Sequence, residues 1–123
     1  MPYEKVRLPI HLGTTLITAP QTVYPWVADR KVDITAFKLL NAGNLAASLT
    51  DYFSAALKNG STTIATINTV TTAMTTGIAR SATITASAKR VASGDVLSVA
   101  ITKTGAGQVT TDLVAQIEAD PVE

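Results

Sequence analysis

Hydrophobic and polar residues alternate with a period of two in several stretches of this chain, the spacing of strands with one buried face. The clearest stretch runs from Tyr52 to Ile67, YFSAALKNGSTTIATI. Phe53, Ala55 and Leu57 share one face; Tyr52, Ser54, Ala56 and Lys58 take the other. Asn59-Gly60 follows, a dipeptide that tolerates the positive φ of a type I′ turn, and Thr62, Thr63, Ile64 and Thr66 suit a returning strand. A hairpin is predicted here. Lys31 to Asn41 predicts another strand, with Val32, Ile34 and Ala36 on one face and then Phe37 and Leu39 on the opposite one. Either both faces are covered or a bulge shifts the phase. Arg80 to Ser87 places Ala82, Ile84 and Ala86 together. Asp95 to Thr104 does the same for Leu97, Val99 and Ile101, and Asp112 to Ala119 for Leu113, Ala115, Ile117 and Ala119. Turn residues separate these runs at Asn41-Ala42-Gly43-Asn44, Ser93-Gly94-Asp95 and Gly105-Ala106-Gly107. Leu45 to Thr50 admits a short helical turn, and Asn68 to Gly77 reads as a loop or short edge strand. The pattern predicts an all-β antiparallel β-sandwich.

Residues 1–30 differ from the rest. Pro2, Pro9, Pro20 and Pro25 lie here, and proline removes ladder donors and holds the chain extended or turned. Val6, Leu8, Ile10 and Leu12 nevertheless keep period two, and the segment is too apolar for a free tail. It reads as an extended N-terminal arm on a sandwich of residues 31–123. Such an arm needs a surface to lie on, either its own domain or a partner.

Composition narrows the classes. A chain of 123 residues fits one domain, and it has no cysteine for disulfide or thiolate chemistry. The net charge is +1 with dispersed basic residues, so no nucleic-acid stripe forms. Glu4, Lys5 and Arg7 stand where a signal peptide would need an apolar run. The uncharged run Asn59–Ala79 is too rich in Thr, Asn and Gly to favour a bilayer, so no membrane is expected. Threonine makes up about one residue in six, which favours strands.

Candidate chemistry is sparse. His11 stands alone among apolar residues, and a zinc site recruits several His or Cys ligands. The carboxylates are spread singly, and Asp51 and Asp95 precede strands where Asp caps turns. Gly105-Ala106-Gly107 lacks the lysine of a phosphate loop. Asn59-Gly60-Ser61 matches a glycosylation acceptor, but the same letters are what a tight turn needs. Trp26 and Tyr24 form an aromatic pair that could stack on sugars or anchor an interface; the plainer reading is that Trp26 plugs one end of the sandwich. No catalytic residue, metal site or cofactor is assigned, and no enzyme or small-molecule substrate is expected.

Four pieces, in order, resemble the small jelly-roll decoration (cement) proteins of tailed-phage capsids and related phage head and fibre domains. They are Ala56-Leu57-Lys58-Asn59-Gly60, Ile64-Ala65, Ser93-Gly94-Asp95-Val96-Leu97-Ser98-Val99, and Thr104-Gly105-Ala106-Gly107. The arm matches no motif of that family. The resemblance implies a jelly-roll body, a homotrimer, and a major capsid protein as partner. It places the protein on the outer capsid surface of a virion, after synthesis in the host cytoplasm. Tyr3, Val6, Arg7, Leu8, Ile10, Tyr24 and Trp26 are then the candidate partner-binding residues. The alternative is a phage tail-fibre or carbohydrate-binding module.

Overall fold

In the computed structural model, which describes residues 6–16, 21–70, 72–105 and 109–122, the chain doubles back at Gly60-Ser61. Four strands precede this turn: β1 (Val6–Leu16), β2 (Gln21–Val27), β3 (Val32–Leu40) and β4 (Tyr52–Asn59). Five follow: β5 (Thr62–Asn68), β6 (Arg80–Ser81), β7 (Arg90–Val91), β8 (Val96–Thr104) and β9 (Val109–Pro121). Each early strand pairs antiparallel with a strand about equally far past the turn: β4 with β5, β3 with β6 and β7, β2 with β8, β1 with β9. The pairs Leu57–Ala65, Val32–Val91, Val23–Val99 and Val6–Ala119 all have sequence midpoints between residues 61 and 63. The chain is therefore one long ribbon. Its rolling adds the lateral pairings β3·β9 and β4·β8.

Rolling divides the ribbon into two sheets, β1-β9-β3 with β6 and β7 sharing the far edge of β3, and β2-β8-β4-β5. With β6 and β7 counted as one interrupted strand, this is the jelly-roll order. The core lies between the sheets. Val32, Ile34, Phe37, Leu39, Leu113, Ala115 and Ile117 come from one layer, and Phe53, Ala55, Leu57, Ile67, Leu97, Val99 and Ile101 from the other; all are buried. These are the residues that alternation places inward on β4, β8 and β9.

Two bulges explain where simple alternation breaks. Ile34 pairs with Ala119 and Ala36 with Glu118, which leaves Thr35 unopposed. The extra residue flips the phase, so Val32 and Ile34 face the core and then Phe37 and Leu39 do. Leu57 pairs with Ala65 and Lys58 with Thr63, which leaves Ile64 unopposed and lets Ile64 and Ala65 both be buried. The Arg80–Ser87 strand is not continuous. It leaves β3 after β6, and the Ala82 amide donates to the Phe37 carbonyl (2.9 Å). The Thr85 amide reaches the other sheet and donates to the Ile64 carbonyl (2.9 Å). The chain returns where the Ile34 amide meets the Lys89 carbonyl (2.9 Å). The bulge on β5 thus supplies the acceptor, and the segment closes that side of the sandwich with Ala82, Ile84 and Ala88 packed on the core.

The turn is also one residue later than the sequence predicts. Asn59 stays in the ladder, opposite Thr62 and Leu97, so Gly60 and Ser61 make the turn, with Gly60 at φ 59°. The Leu45–Thr50 stretch forms no helix; Leu45 makes a bridge with Met74. The long uncharged run is the end of β4, β5 and the loop after it. Among the described residues no helix is long and apolar enough to cross a membrane.

Substitution of two of the positive-φ glycines, Gly60 and Gly105, should separate conformational cost from collision. A Cβ on Gly60 meets nothing, whereas one on Gly105 (φ 65°) runs into the Thr50 carbonyl and Asp51 Oδ1. Gly60→Ala should cost about 1 kcal/mol in denaturant unfolding, and Gly105→Ala clearly more. In stopped-flow refolding, Gly60→Ala should act mainly on the folding rate, because β4–β5 is the most local pairing of the ribbon. A pure increase in unfolding rate would contradict that order of events.

Candidate functional site

Proline explains where the N-terminal segment goes. A Pro inside a strand is tolerated at a sheet edge or a bulge, because only there is its missing donor harmless. Pro9 lies within β1 and Pro25 within β2, and these strands are the outer edges of the two sheets. Pro25 falls in the irregular register between Val23 and Trp26. Residues 6–16 and 21–27 thus lie along the protein's own sheets.

Of the candidate partner-binding residues, Tyr3 lies outside the described residues. Val6, Arg7, Leu8 and Ile10 stand on β1, opposite Ala119, Glu118, Ile117 and Ala115 of β9. Tyr24 and Trp26 stand on β2, Tyr24 within the register shift that follows Val23 and Trp26 where the ladder resumes opposite Leu97. That shift parts them: Tyr24 is 71% exposed, while Trp26 is half-buried and packs against the core. The two edge strands are joined through residues 17–20, so these candidates occupy consecutive sheet edges, but the aromatics do not form one platform.

Beside β1, the outer face of the first sheet carries a polar cluster that crosses strands. Lys38 Nζ lies 3.1 Å from Glu118 Oε2, and Gln116 Nε2 donates to the same oxygen at 3.2 Å. Glu118 is buried although it points away from the core, because its partners cover it. A shallow cleft of about 120 Å³ adjoins, lined by Lys38, Leu40, Ala79, Val114 and Gln116 among others. The Gln116–Glu118 spacing shows an outward polar face in the sequence. Its meeting with Lys38 depends on the β3·β9 register, which the Thr35 bulge sets.

Four other charged groups, Arg90, Asp33, Arg80 and Asp95, join strands and loops. Arg90 makes a two-pronged contact with Asp33, Nε to Oδ1 and Nη2 to Oδ2 (3.3 Å), and fastens β7 to β3. Asp33 faces Asp120 across β3 and β9, and the Arg90 guanidinium holds the Asp33 carboxyl below the usual carboxylate range. Arg80 donates to the Asn68 and Thr72 carbonyls and ties down the 69–79 loop. Asp95 works at the opposite end of the sandwich. Its Oδ2 accepts from Asn59 Nδ2 (2.9 Å) and from the Ala92 amide (2.9 Å), and these bonds lower its pKa. Its backbone carbonyl accepts from Ala28 N (2.8 Å), and Gly94 N donates to the Ala28 carbonyl (2.7 Å). One aspartate therefore ties the β2–β3, β4–β5 and β7–β8 turns together. His11 stands on β1 opposite Val114. Among the described residues no three His, Cys, Asp or Glu side chains converge as metal ligands would.

No family model and no curated protein matches the chain. A solved structure, that of infectious bursal disease virus Gx strain, aligns with a TM-score of 0.33 and 10% sequence identity. The alignment covers 99% of this chain and 38% of that one. So distant a likeness carries no argument about activity.

Acid should weaken the Asp95 and Asp33 ties. Both carboxyls have lowered native pKa values, so the unfolded chain binds more protons as the pH drops. The stability they add is present above the unfolded value, about pH 4, and is lost as the pH falls through the native one. Denaturant midpoints should therefore hold from neutral pH to about pH 5 and fall below about pH 4. Asp95→Asn and Asp33→Asn should each flatten that fall. An unchanged acid limb in both variants would remove these residues from the linkage.

Proposed function

We propose that this chain is a structural virion protein, a decoration (cement) protein on the outside of a phage head that stabilises contacts between major capsid subunits. The observation that carries the reading is the jelly-roll strand order, found on a chain whose segments resemble that family. Jelly rolls also serve as lectin domains, so fold alone does not choose the function. The use of the charged side chains supports a structural role over an enzyme: Asp33, Asp95, Glu118, Arg80 and Arg90 all join strands or loops. A partner would approach the β1 and β2 edges, which carry Val6, Arg7, Leu8, Ile10 and Tyr24. Edge strands can accept an added strand from a neighbour, and Pro9 and Pro25 limit how far such pairing runs. A homotrimer on a repeating shell would multiply modest single-site affinity.

One observation favours the tail-fibre or carbohydrate-binding alternative: Tyr24 is 71% exposed on an edge strand, as a sugar-stacking ring would be. The readings separate cleanly. A decoration protein should co-sediment with expanded, undecorated heads in fixed stoichiometry to the major capsid protein, and should give the mass of a trimer by light scattering. Because Tyr24 is exposed, Tyr24→Ala should leave the unfolding midpoint unchanged and, if Tyr24 anchors the interface, weaken head binding at least about tenfold. Failure to sediment with heads, together with binding on a glycan array, would replace this reading with the carbohydrate one.

A further inference from the structure

Asn-Gly is the dipeptide in which a flexible side chain has the least hindered path to attack by the next backbone nitrogen, since glycine has no Cβ. In this chain it sits at the fold's reversal point, and the structure restrains it twice. Asn59 is held in the ladder from both sides, opposite Thr62 on β5 and Leu97 on β8. Its side-chain amide donates to Asp95 Oδ2 at 2.9 Å, and the Gly60 amide points to the Val96 carbonyl at 3.4 Å. Attacking nitrogen and leaving amide are thus both engaged with the β7–β8 side. On the Gly60 side the space is open: nothing lies within 4 Å of the position a Cβ would take.

We propose that Asn59 is a latent deamidation site, held intact by Asp95, and that its conversion unfastens the turn end of the sandwich. In the reaction the Gly60 nitrogen attacks the Asn59 side-chain carbonyl carbon and forms a new C–N bond. The side-chain nitrogen leaves as ammonia, carrying the proton lost from Gly60. Water then opens the resulting succinimide at either carbonyl, giving an aspartyl or isoaspartyl residue at position 59. No electrons are transferred. The product places a carboxylate where the amide donated to Asp95, so a hydrogen bond becomes a like-charge contact. The isoaspartyl form also lengthens the backbone by one atom inside the β4 ladder. The Asp95 carboxylate would then lose one of its two donors at the point where three turns meet.

The test is peptide mapping by mass spectrometry of the full chain incubated near neutral pH, following the mass gain of amide-to-acid conversion at Asn59. Native protein should deamidate at least about tenfold more slowly than the denatured chain, and Asp95→Ala should remove most of that protection, as expected for loss of a hydrogen bond to a charged group. Equal Asn59 rates in native wild type and Asp95→Ala would overturn the role of Asp95. A paired set of variants decides the case if Asp95→Ala does not fold. Asn59→Asp should lower the unfolding midpoint, and adding Asp95→Asn should restore it by reversing donor and acceptor. An Asn59→Asp variant as stable as wild type would overturn the claim that conversion unfastens this end.

Discussion

A ribbon folded about a single turn keeps its two halves in step only if insertions on one side are matched on the other. Here the pairs from Leu57–Ala65 out to Val6–Ala119 remain centred on nearly the same point. Because side chains alternate faces, a slip of one residue would turn a whole strand's apolar set to solvent. The two bulges work within this limit. The Thr35 bulge brings Phe37 and Leu39 inward after Val32 and Ile34, and the Ile64 bulge buries two successive residues and frees a carbonyl for Thr85. Irregularity in the ladder is thus what lets the ribbon both roll and close.

The two ends of the sandwich are built differently. At the turn end, short connections meet on Asp95, whose side chain and backbone join three turns at 2.8–2.9 Å. At the other end, the 41–51 and 69–79 segments are long and hold each other. Leu45 and Met74 exchange backbone bonds (2.9 and 2.8 Å), and Asn44 Oδ1 accepts from the Thr76 amide (2.8 Å). Buried Leu45 and Met74 extend the core beneath these loops. The turn end is thus short and closely bonded and the loop end broad, while the proline-bearing strands β1 and β2 form the sheet edges.

Acidic and basic residues follow the same logic. A dispersed set of ten basic and nine acidic residues looks featureless along the chain, yet two of the described pairs link strands far apart in sequence. Arg90 fastens β7 to Asp33 of β3, and Lys38 of β3 meets Glu118 of β9. The side chains of their cations Lys38 and Arg90 remain exposed, so these pairs contribute less to stability than the core does. Their clearer effect is on register, since each bond is made in only one alignment of its strands.

Alternation alone determined that the protein is all-β, and it named the inward faces of β4, β8 and β9, because period two is a local property of the backbone. The glycines and Asn59 marked the reversal to within one residue. The tertiary structure decided the rest. Which side of Asn59 makes the turn depends on Leu97 and Asp95, which lie far along the chain. Whether β3 is covered on both faces or bulged depends on its register with β9. The Arg80–Ser87 alternation reads as a single strand, but pairing splits it, because its middle crosses to the other sheet at Ile64. The apolar, proline-marked N-terminal segment required a surface by its own composition. That Val6–Leu16 and Gln21–Val27 lie on the protein's own sheet edges follows from hydrogen bonds to strands about seventy to a hundred and ten residues later, a distance over which no local pattern carries information.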